Sequence, residues 1–143
     1  MEPAQVVEVE ALAADIVANG LISGVTISGG EPFLQARSLD CLLKLVKERR
    51  PELDVIVFTG FLRENLRSEE ALSVLARTDL LVDGPYVAEL NDGKGLRGSS
   101  NQRLHFLTDR LVRHREELLS GKRQVEVRFN GGVTDVIGIP LKG

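Results

Sequence analysis

The sequence predicts an α/β fold built on a parallel sheet. Segments with helical periodicity alternate three times with short apolar strands, and the connections between them are short, which is the pattern of repeated helix–strand units. A polar or glycine-containing turn follows each strand. These turns are Ser28-Gly29-Gly30-Glu31, Thr59-Gly60 and Asp83-Gly84. Because the carboxyl ends of parallel strands lie at one edge of a sheet, the three turns could line one pocket.

The first unit joins an amphipathic helix to a short strand. Apolar residues recur at the spacing of one helix face, and Asn19-Gly20 supplies a stop signal. Val25-Thr26-Ile27-Ser28 then forms a short, largely β-branched strand. The recurring apolar residues are Val9, Leu12, Ala13, Ile16 and Val17.

The turn Gly29-Gly30-Glu31-Pro32 leads from this strand into the second helix. Its glycines let the backbone approach a ligand closely, and Glu31 places a carboxylate there that suits an ammonium group. Taken alone, the turn could equally be a tight strand-to-helix connection without a ligand.

Two further units follow the same plan. The second helix places Leu39, Leu42, Leu43 and Val46 on one face, with Ser38 as the expected N-cap and Pro51 after its end. Residues 54–59 form a continuous apolar strand of the kind that is buried on both faces. A third helix begins at Ser68-Glu69-Glu70, and Leu80-Leu81-Val82 is the strand after it.

The second half of the chain has a different pattern. Residues 91–102 are rich in glycine and polar side chains and predict a loop, followed by a basic helix over residues 109–120. Residues 124–129 alternate strictly between apolar and charged side chains. A turn at Asn130-Gly131-Gly132 then leads into residues 133–139, which predicts an antiparallel hairpin that ends at Pro140.

Composition limits the class of protein. With 143 residues, 43% hydrophobic and 27% charged, we expect a single globular domain over residues 1–143. The net charge of −3 argues against nonspecific nucleic-acid binding. No apolar run is long enough to span a membrane, and no leader is visible, so we expect no membrane association and a cytoplasmic protein. The single cysteine, Cys41, cannot hold an iron–sulfur or zinc site alone and is expected to be a partly buried apolar residue.

Four stretches in order resemble the radical S-adenosylmethionine (SAM) superfamily, and within it the activating proteins of anaerobic ribonucleotide reductase and related glycyl-radical activases. The most specific is Arg97-Gly98-Ser99-Ser100-Asn101-Gln102, which closely resembles a run in the reductase activases. Without the resemblance, this run would be explained as a hydrogen-bonded loop. With it, we expect a loop over the SAM pocket or a partner groove. The four stretches are residues 24–32, 58–61, 80–86 and 96–103.

The resemblance implies a SAM site at the three turns. In the superfamily the Gly-Gly-Glu-Pro turn binds the methionine amino group. Asp83 matches an aspartate near the SAM carboxylate, although Pro85 stands where some activases have a lysine. Residues 136–140 resemble a strand that contacts adenine. The implied cofactor-binding residues are Ser28, Gly29, Gly30, Glu31, Thr59, Gly60 and Asp83.

The Cys-x3-Cys-x2-Cys motif that defines the superfamily is missing from this sequence. Its thiolates hold a [4Fe–4S] cluster that cleaves SAM to a 5′-deoxyadenosyl radical. The implied fold is therefore a partial (β/α) barrel of the radical SAM type, without its first strand and cluster loop and with a C-terminal helix and β-hairpin. The chain is expected to be truncated and not to cleave SAM as written. We also expect one side of the strand at residues 25–28 to lack a neighbour, which predicts self-association there or coverage by a terminal segment.

The implied function of the full-length protein is activation of a glycyl-radical enzyme, with anaerobic ribonucleotide reductase as partner and flavodoxin or ferredoxin as electron donor. Two alternatives remain open. One is a cluster-free module that binds SAM or a partner. The other is a different radical SAM enzyme that acts on a small molecule or peptide.

Overall fold

The computed structural model describes residues 3–28, 31–91, 99–112, 125–130 and 133–137. These residues form three α-helices, six β-strands and three short 3-10 turns. The 3-10 turns cover Pro32–Gln35, Arg63–Asn65 and Ala88–Leu90. The helices are α1 (Pro3–Ala18), α2 (Ala36–Arg49) and α3 (Glu69–Ala76). The strands are β1 (Gly24–Ser28), β2 (Asp54–Phe58), β3 (Leu80–Asp83), β4 (Arg103–Phe106), β5 (Val125–Asn130) and β6 (Val133–Ile137).

The strands form one six-stranded sheet in the order β4-β3-β2-β1-β5-β6. The pairs β1–β2 and β2–β3 are parallel, which confirms the predicted helix–strand arrangement. Strand β4 is antiparallel to β3 and was not predicted, although Arg103-Leu104-His105-Phe106 alternates polar with apolar residues. The hairpin β5–β6 is antiparallel, as predicted. The partial barrel itself remains a prediction.

Strand β1 has a neighbour on both sides. It pairs with β2 on one side and, in parallel, with β5 on the other, with Val25 opposite Val125 and Ser28 opposite Arg128. The expectation of an exposed edge at β1 was therefore wrong, and self-association through that edge loses its basis. The other expected outcome was coverage of this side by a terminal segment, and β5, which lies towards the C-terminal end of the given sequence, covers it.

Two apolar layers cover the central strands because successive side chains of a strand point to opposite faces. Val55 and Val57 of β2 face the helices, where they join buried residues of α1, α2 and α3. Ile56 packs on the other face with Leu80 and Leu111. Burial of β2 on both faces confirms the interpretation of its continuous apolar run.

The helix ends differ from the prediction at one point. Helix α1 ends at Ala18, next to the predicted stop at Asn19, and α3 begins at Glu69, within the predicted start at Ser68-Glu69-Glu70. Ser68 caps α3 by accepting from Ala71 N–H at 3.0 Å. Ser38 does not cap α2, which already begins at Ala36. The 3-10 turn Pro32–Gln35 runs directly into α2, and Glu31 caps that turn instead by accepting from Phe33 N–H.

The predicted helix over residues 109–120 falls mostly outside the described residues, because residues 113–120 are not among them. Residues 109–111 form a bend and a turn and Val112 has a 3-10 conformation, so none of the four is α-helical. Within the described ranges, none of the helices combines the length and apolar character needed to cross a bilayer. The cytoplasmic location stays a prediction.

Candidate functional site

The predicted site residues lie where three neighbouring parallel strands end. Ser28 ends β1, Thr59 and Gly60 follow β2, and Asp83 ends β3. The sequence therefore placed these residues correctly at one edge of the sheet. Gly29 and Gly30 lie outside the described residues.

Glu31 joins the turn after β1 to the turn after β2. Its Oε2 accepts from Thr59 Oγ1 at 2.8 Å and from Phe33 N–H at 2.9 Å, and its Oε1 accepts from Gly60 N–H at 2.6 Å. The carboxylate expected to be free for an ammonium group is thus already held by three donors from the described part of the chain. All three are neutral, so the negative charge of Glu31 is not cancelled by them and can still attract a cationic group.

Thr59 is the central residue of this junction. It is buried, with 3% of its surface exposed, and its hydroxyl donates to Glu31 while accepting from Phe61 N–H at 3.1 Å. One side chain therefore fixes both the carboxylate and the start of the loop after β2. Gly60 is exposed, and a Cβ there would meet Glu31 Oε1 at an ordinary contact distance of 3.5 Å. The fold does not demand glycine at position 60.

Asp83 is completely buried, with 0% of its side chain exposed. Its Oδ2 accepts from Arg63 N–H at 2.7 Å and from Arg103 Nη2 at 2.6 Å, and its Oδ1 accepts from Arg103 Nε at 3.0 Å. His105 Nε2 lies 3.1 Å from Oδ1 without the alignment of a hydrogen bond. Asp83 therefore anchors a structural cluster, and in this structure its carboxylate does not face solvent.

The charge of Asp83 is stabilised by its neighbours. Burial would raise the pKa of Asp83, but hydrogen bonds from Arg103 and from Arg63 N–H, together with the nearby His105, outweigh burial and hold the pKa below its ordinary value. The hydrogen bonds of Arg103 to Asp83 and to Glu64 Oε1, the latter at 2.6 Å, raise the pKa of Arg103. Both groups are ionised at neutral pH.

The Ser-Ser-Asn-Gln run supports the turn after β3. Gln102 Nε2 donates to Gly84 O at 2.9 Å, Asn101 Nδ2 donates to Pro85 O at 2.7 Å, and Ser99 Oγ accepts from Val87 N–H at 3.1 Å. Gly84 has a φ of +101°, a conformation that favours glycine. These contacts agree with the hydrogen-bonded loop that the residues alone predict, while Arg97 and Gly98 lie outside the described residues.

Sequence reasoning missed two members of the site, Arg63 and Arg103. Arg63 contributes its backbone N–H, and the residue type at a position does not predict such a bond. Arg103 stands directly opposite Asp83 in the β3–β4 register, a pairing that could have been found had the alternation of β4 been recognised.

The chain is similar to two activating proteins. It is 34% identical over 103 residues to the anaerobic ribonucleoside-triphosphate reductase-activating protein of Enterobacteria phage T4, a match that covers 71% of this chain and 64% of that protein. It is 40% identical over 90 residues to the protein of the same name from Vibrio cholerae serotype O1, covering 59% and 56% respectively. The chain thus spans less than two thirds of the length of these relatives. No solved structure matches it.

Residues 3–105 match a family described as a 4Fe-4S single cluster domain. Such clusters are held by several cysteine thiolates, whereas this chain has the single cysteine Cys41, which is partly buried on α2 against the core. Among the described residues, no group of three or more His, Cys, Asp or Glu side chains could hold a metal. The residues present therefore do not fit a cluster. The match nevertheless spans well over half of the sequence, and the chain belongs to the family of 4Fe-4S single cluster domains.

Proposed function

We propose that this chain forms the SAM-binding part of a radical SAM activase whose partner is a glycyl-radical enzyme, anaerobic ribonucleotide reductase. Three observations support this function: the family match, the two similar activating proteins, and the convergence of the turns after β1 and β2 on one carboxylate. SAM would supply the group that takes a hydrogen atom from a glycine of the partner.

The observation that carries the proposal is the environment of Glu31. It is a carboxylate at the carboxyl edge of a parallel sheet, oriented by Thr59 and Gly60, and its described donors are neutral. A carboxylate fixed in this way favours an ammonium group, such as the amino group of the methionyl moiety, without having to reorganise. Ser28, Glu31, Thr59 and Gly60 would hold this end of SAM, together with Gly29 and Gly30.

Iron–sulfur chemistry would require ligands from outside these 143 residues, since one cysteine cannot supply them. In this proposal the chain corresponds to part of a radical SAM (β/α) barrel, its electron donor is a flavodoxin or ferredoxin, and the 143 residues alone do not cleave SAM. A second candidate function, a cluster-free module that binds SAM or a partner, is favoured by that same single cysteine.

Calorimetric titration of the purified chain with SAM tests the binding site. We expect wild type to bind SAM, and to bind an analogue without the amino group at least about tenfold more weakly, as expected for loss of a charge-assisted hydrogen bond. Glu31→Ala should abolish binding, whereas Glu48→Ala on the exposed surface of α2 should not. Because Glu31→Ala also removes three hydrogen bonds, its loss of binding supports the site only if its circular dichroism spectrum matches that of wild type.

Two results would overturn the proposal. One is the absence of SAM binding by a folded wild-type chain. The other is equal affinity for SAM and for the analogue without an amino group, which would exclude Glu31 as the ammonium site. Formation of 5′-deoxyadenosine by this chain after treatment with iron and sulfide under reducing conditions would refute its proposed inactivity.

A further inference from the structure

Hydrogen bonds join the carboxyl ends of the parallel strands β1, β2 and β3 to the amino end of the antiparallel strand β4. Arg103 of β4 binds both carboxylate oxygens of Asp83 at the end of β3. Asp83 in turn accepts from Arg63 N–H in the loop after β2. At its start, the same loop binds Glu31 through Thr59 and Gly60. The loop after β2 is therefore fixed at two points, at its start to Glu31 and near its middle, through Arg63 N–H, to the Asp83–Arg103 pair.

Two further contacts connect the loop after β2 to the end of β3 and to Arg103. Gly84 N–H donates to Phe61 O at 3.1 Å, next to the bond between Phe61 N–H and Thr59. Nη2 of Arg103 also donates to Glu64 Oε1 at 2.6 Å, so the guanidinium binds both the strand end and the loop. The planar guanidinium binds Asp83 through two nitrogens and Glu64 through one of them, whereas the single nitrogen of a lysine ammonium cannot bind Asp83 in this bidentate way.

The exposure of Arg103 and Glu64 indicates that their ion pair affects the nearby loop rather than global stability. The Arg103 side chain is 45% exposed and that of Glu64 is 56% exposed. Ion pairs with such exposure contribute little to global stability, whereas the carboxylate of Asp83 is fully buried. Since Asp83 is not accessible, its effect on a ligand at Glu31 would pass through Arg63 and the loop.

We propose that Arg103 is a positioning residue for the Glu31 site: by holding Asp83 and Glu64 it fixes the loop after β2, and thereby sets the Gly60 N–H and Thr59 hydroxyl that orient the Glu31 carboxylate. This inference rests on the proposed function for its ligand. Its structural part, the coupling of Arg103 to Gly60, can be measured without any ligand.

The first measurement is amide hydrogen exchange of Gly60 and Arg63 in Arg103→Lys. This variant keeps the positive charge but lacks the planar array of N–H donors of a guanidinium. Removing the restraint of one hydrogen bond should speed exchange at both amides by about fivefold. Arg110→Lys is the matched control, because Arg110 binds Asp54 and the carbonyls of Pro51 and Glu52 at the opposite edge of the sheet. It should leave exchange at Gly60 as in wild type.

Should Arg103→Lys fail to fold, Glu64→Gln provides the second test, because it changes an exposed carboxylate and weakens the hold on the same guanidinium. It should also speed exchange at Arg63 and Gly60. Unchanged exchange at Gly60 in the folded variant, or equal acceleration in Arg110→Lys, would overturn the positioning role.

The second measurement is the affinity for SAM. Arg103→Lys should bind SAM about fivefold more weakly than wild type, whereas Arg110→Lys should bind as wild type does. If wild type binds SAM and Arg103→Lys binds it equally well, the positioning role is wrong and the proposed function stands. If wild type does not bind SAM, the proposed function is wrong, and the exchange data still decide whether Arg103 controls the loop.

Discussion

Replacing Thr59 by valine removes one hydroxyl from the centre of the site and keeps the shape of the side chain. In the structure this hydroxyl donates to Glu31 Oε2 at 2.8 Å and accepts from Phe61 N–H at 3.1 Å. Valine can make neither bond, so the substitution leaves a carboxylate oxygen and a backbone N–H each with one partner fewer.

The cost follows from the two bonds. A hydrogen bond to a charged group contributes about 1.5–3 kcal/mol, and one between neutral groups about 1 kcal/mol. Thr59 is only 3% exposed, so water cannot readily replace the lost partner. Thr59→Val should therefore lower the free energy of unfolding by about 3 kcal/mol.

Urea denaturation followed by circular dichroism measures this loss, and Thr78→Val is the matched control. Thr78 is equally buried, but its hydroxyl makes one neutral bond, to Val74 O at 2.8 Å. Its removal should cost about 1 kcal/mol. Thr59→Ser, which keeps the hydroxyl, should lose only about 1 kcal/mol, for one buried methyl group.

The outcome that would refute this reasoning is equal destabilisation by Thr59→Val and Thr78→Val. The neutral bond from Phe61 N–H would then account for the whole loss at Thr59, and the bond to Glu31 would contribute nothing to stability.

Two further predictions concern the turns and the response to acid. Gly84→Ala should lower the free energy of unfolding by about 1–2 kcal/mol, because the φ of +101° at this position strains any other residue. Gly60→Ala should change the free energy of unfolding by less than about 0.5 kcal/mol, because there is room for a methyl group. Similar urea midpoints for the two variants would contradict this. The lowered pKa of Asp83 means that its ionised form stabilises the fold above the unfolded-state pKa of about 3.9 and that this stability is lost as the pH falls through the lower folded-state value. Urea midpoints between pH 6 and 2.5 should thus fall more steeply in wild type than in Asp83→Asn, and parallel profiles would show that Asp83 is not the responsible group.

Local patterns predicted most of the elements because periodicity encodes which side chains share a face. The apolar spacing of α2 identified Leu39, Leu42, Leu43 and Val46, all of which are buried. Strand β4 was missed because its alternation covers only four residues after a loop rich in glycine. The N-cap of α2 was wrong because the turn of Pro32–Gln35 begins the helical path earlier than Ser38.

The site was predicted in part. The rule that parallel strands end at one edge correctly brought Glu31, Thr59 and Asp83 to the same side of the sheet. The sequence could not show that Glu31 binds Thr59 and Gly60, because these contacts depend on how the loops after two different strands fold over one another. The enclosure of Asp83 by Arg103 was missed with strand β4, whose register places the two residues opposite each other.

The sequence by itself determined the alternation of helices and strands, the turns at the strand ends and the presence of one cysteine, since these depend on residue types and on spacing over a few positions. Only the tertiary structure decided that β5 covers the second side of β1, and that the polar residues of the strand ends bond to each other. The physical reason is that strand pairing and buried hydrogen bonds join residues far apart in the chain. Their partners are selected by the packing of the whole sheet, which no local pattern contains.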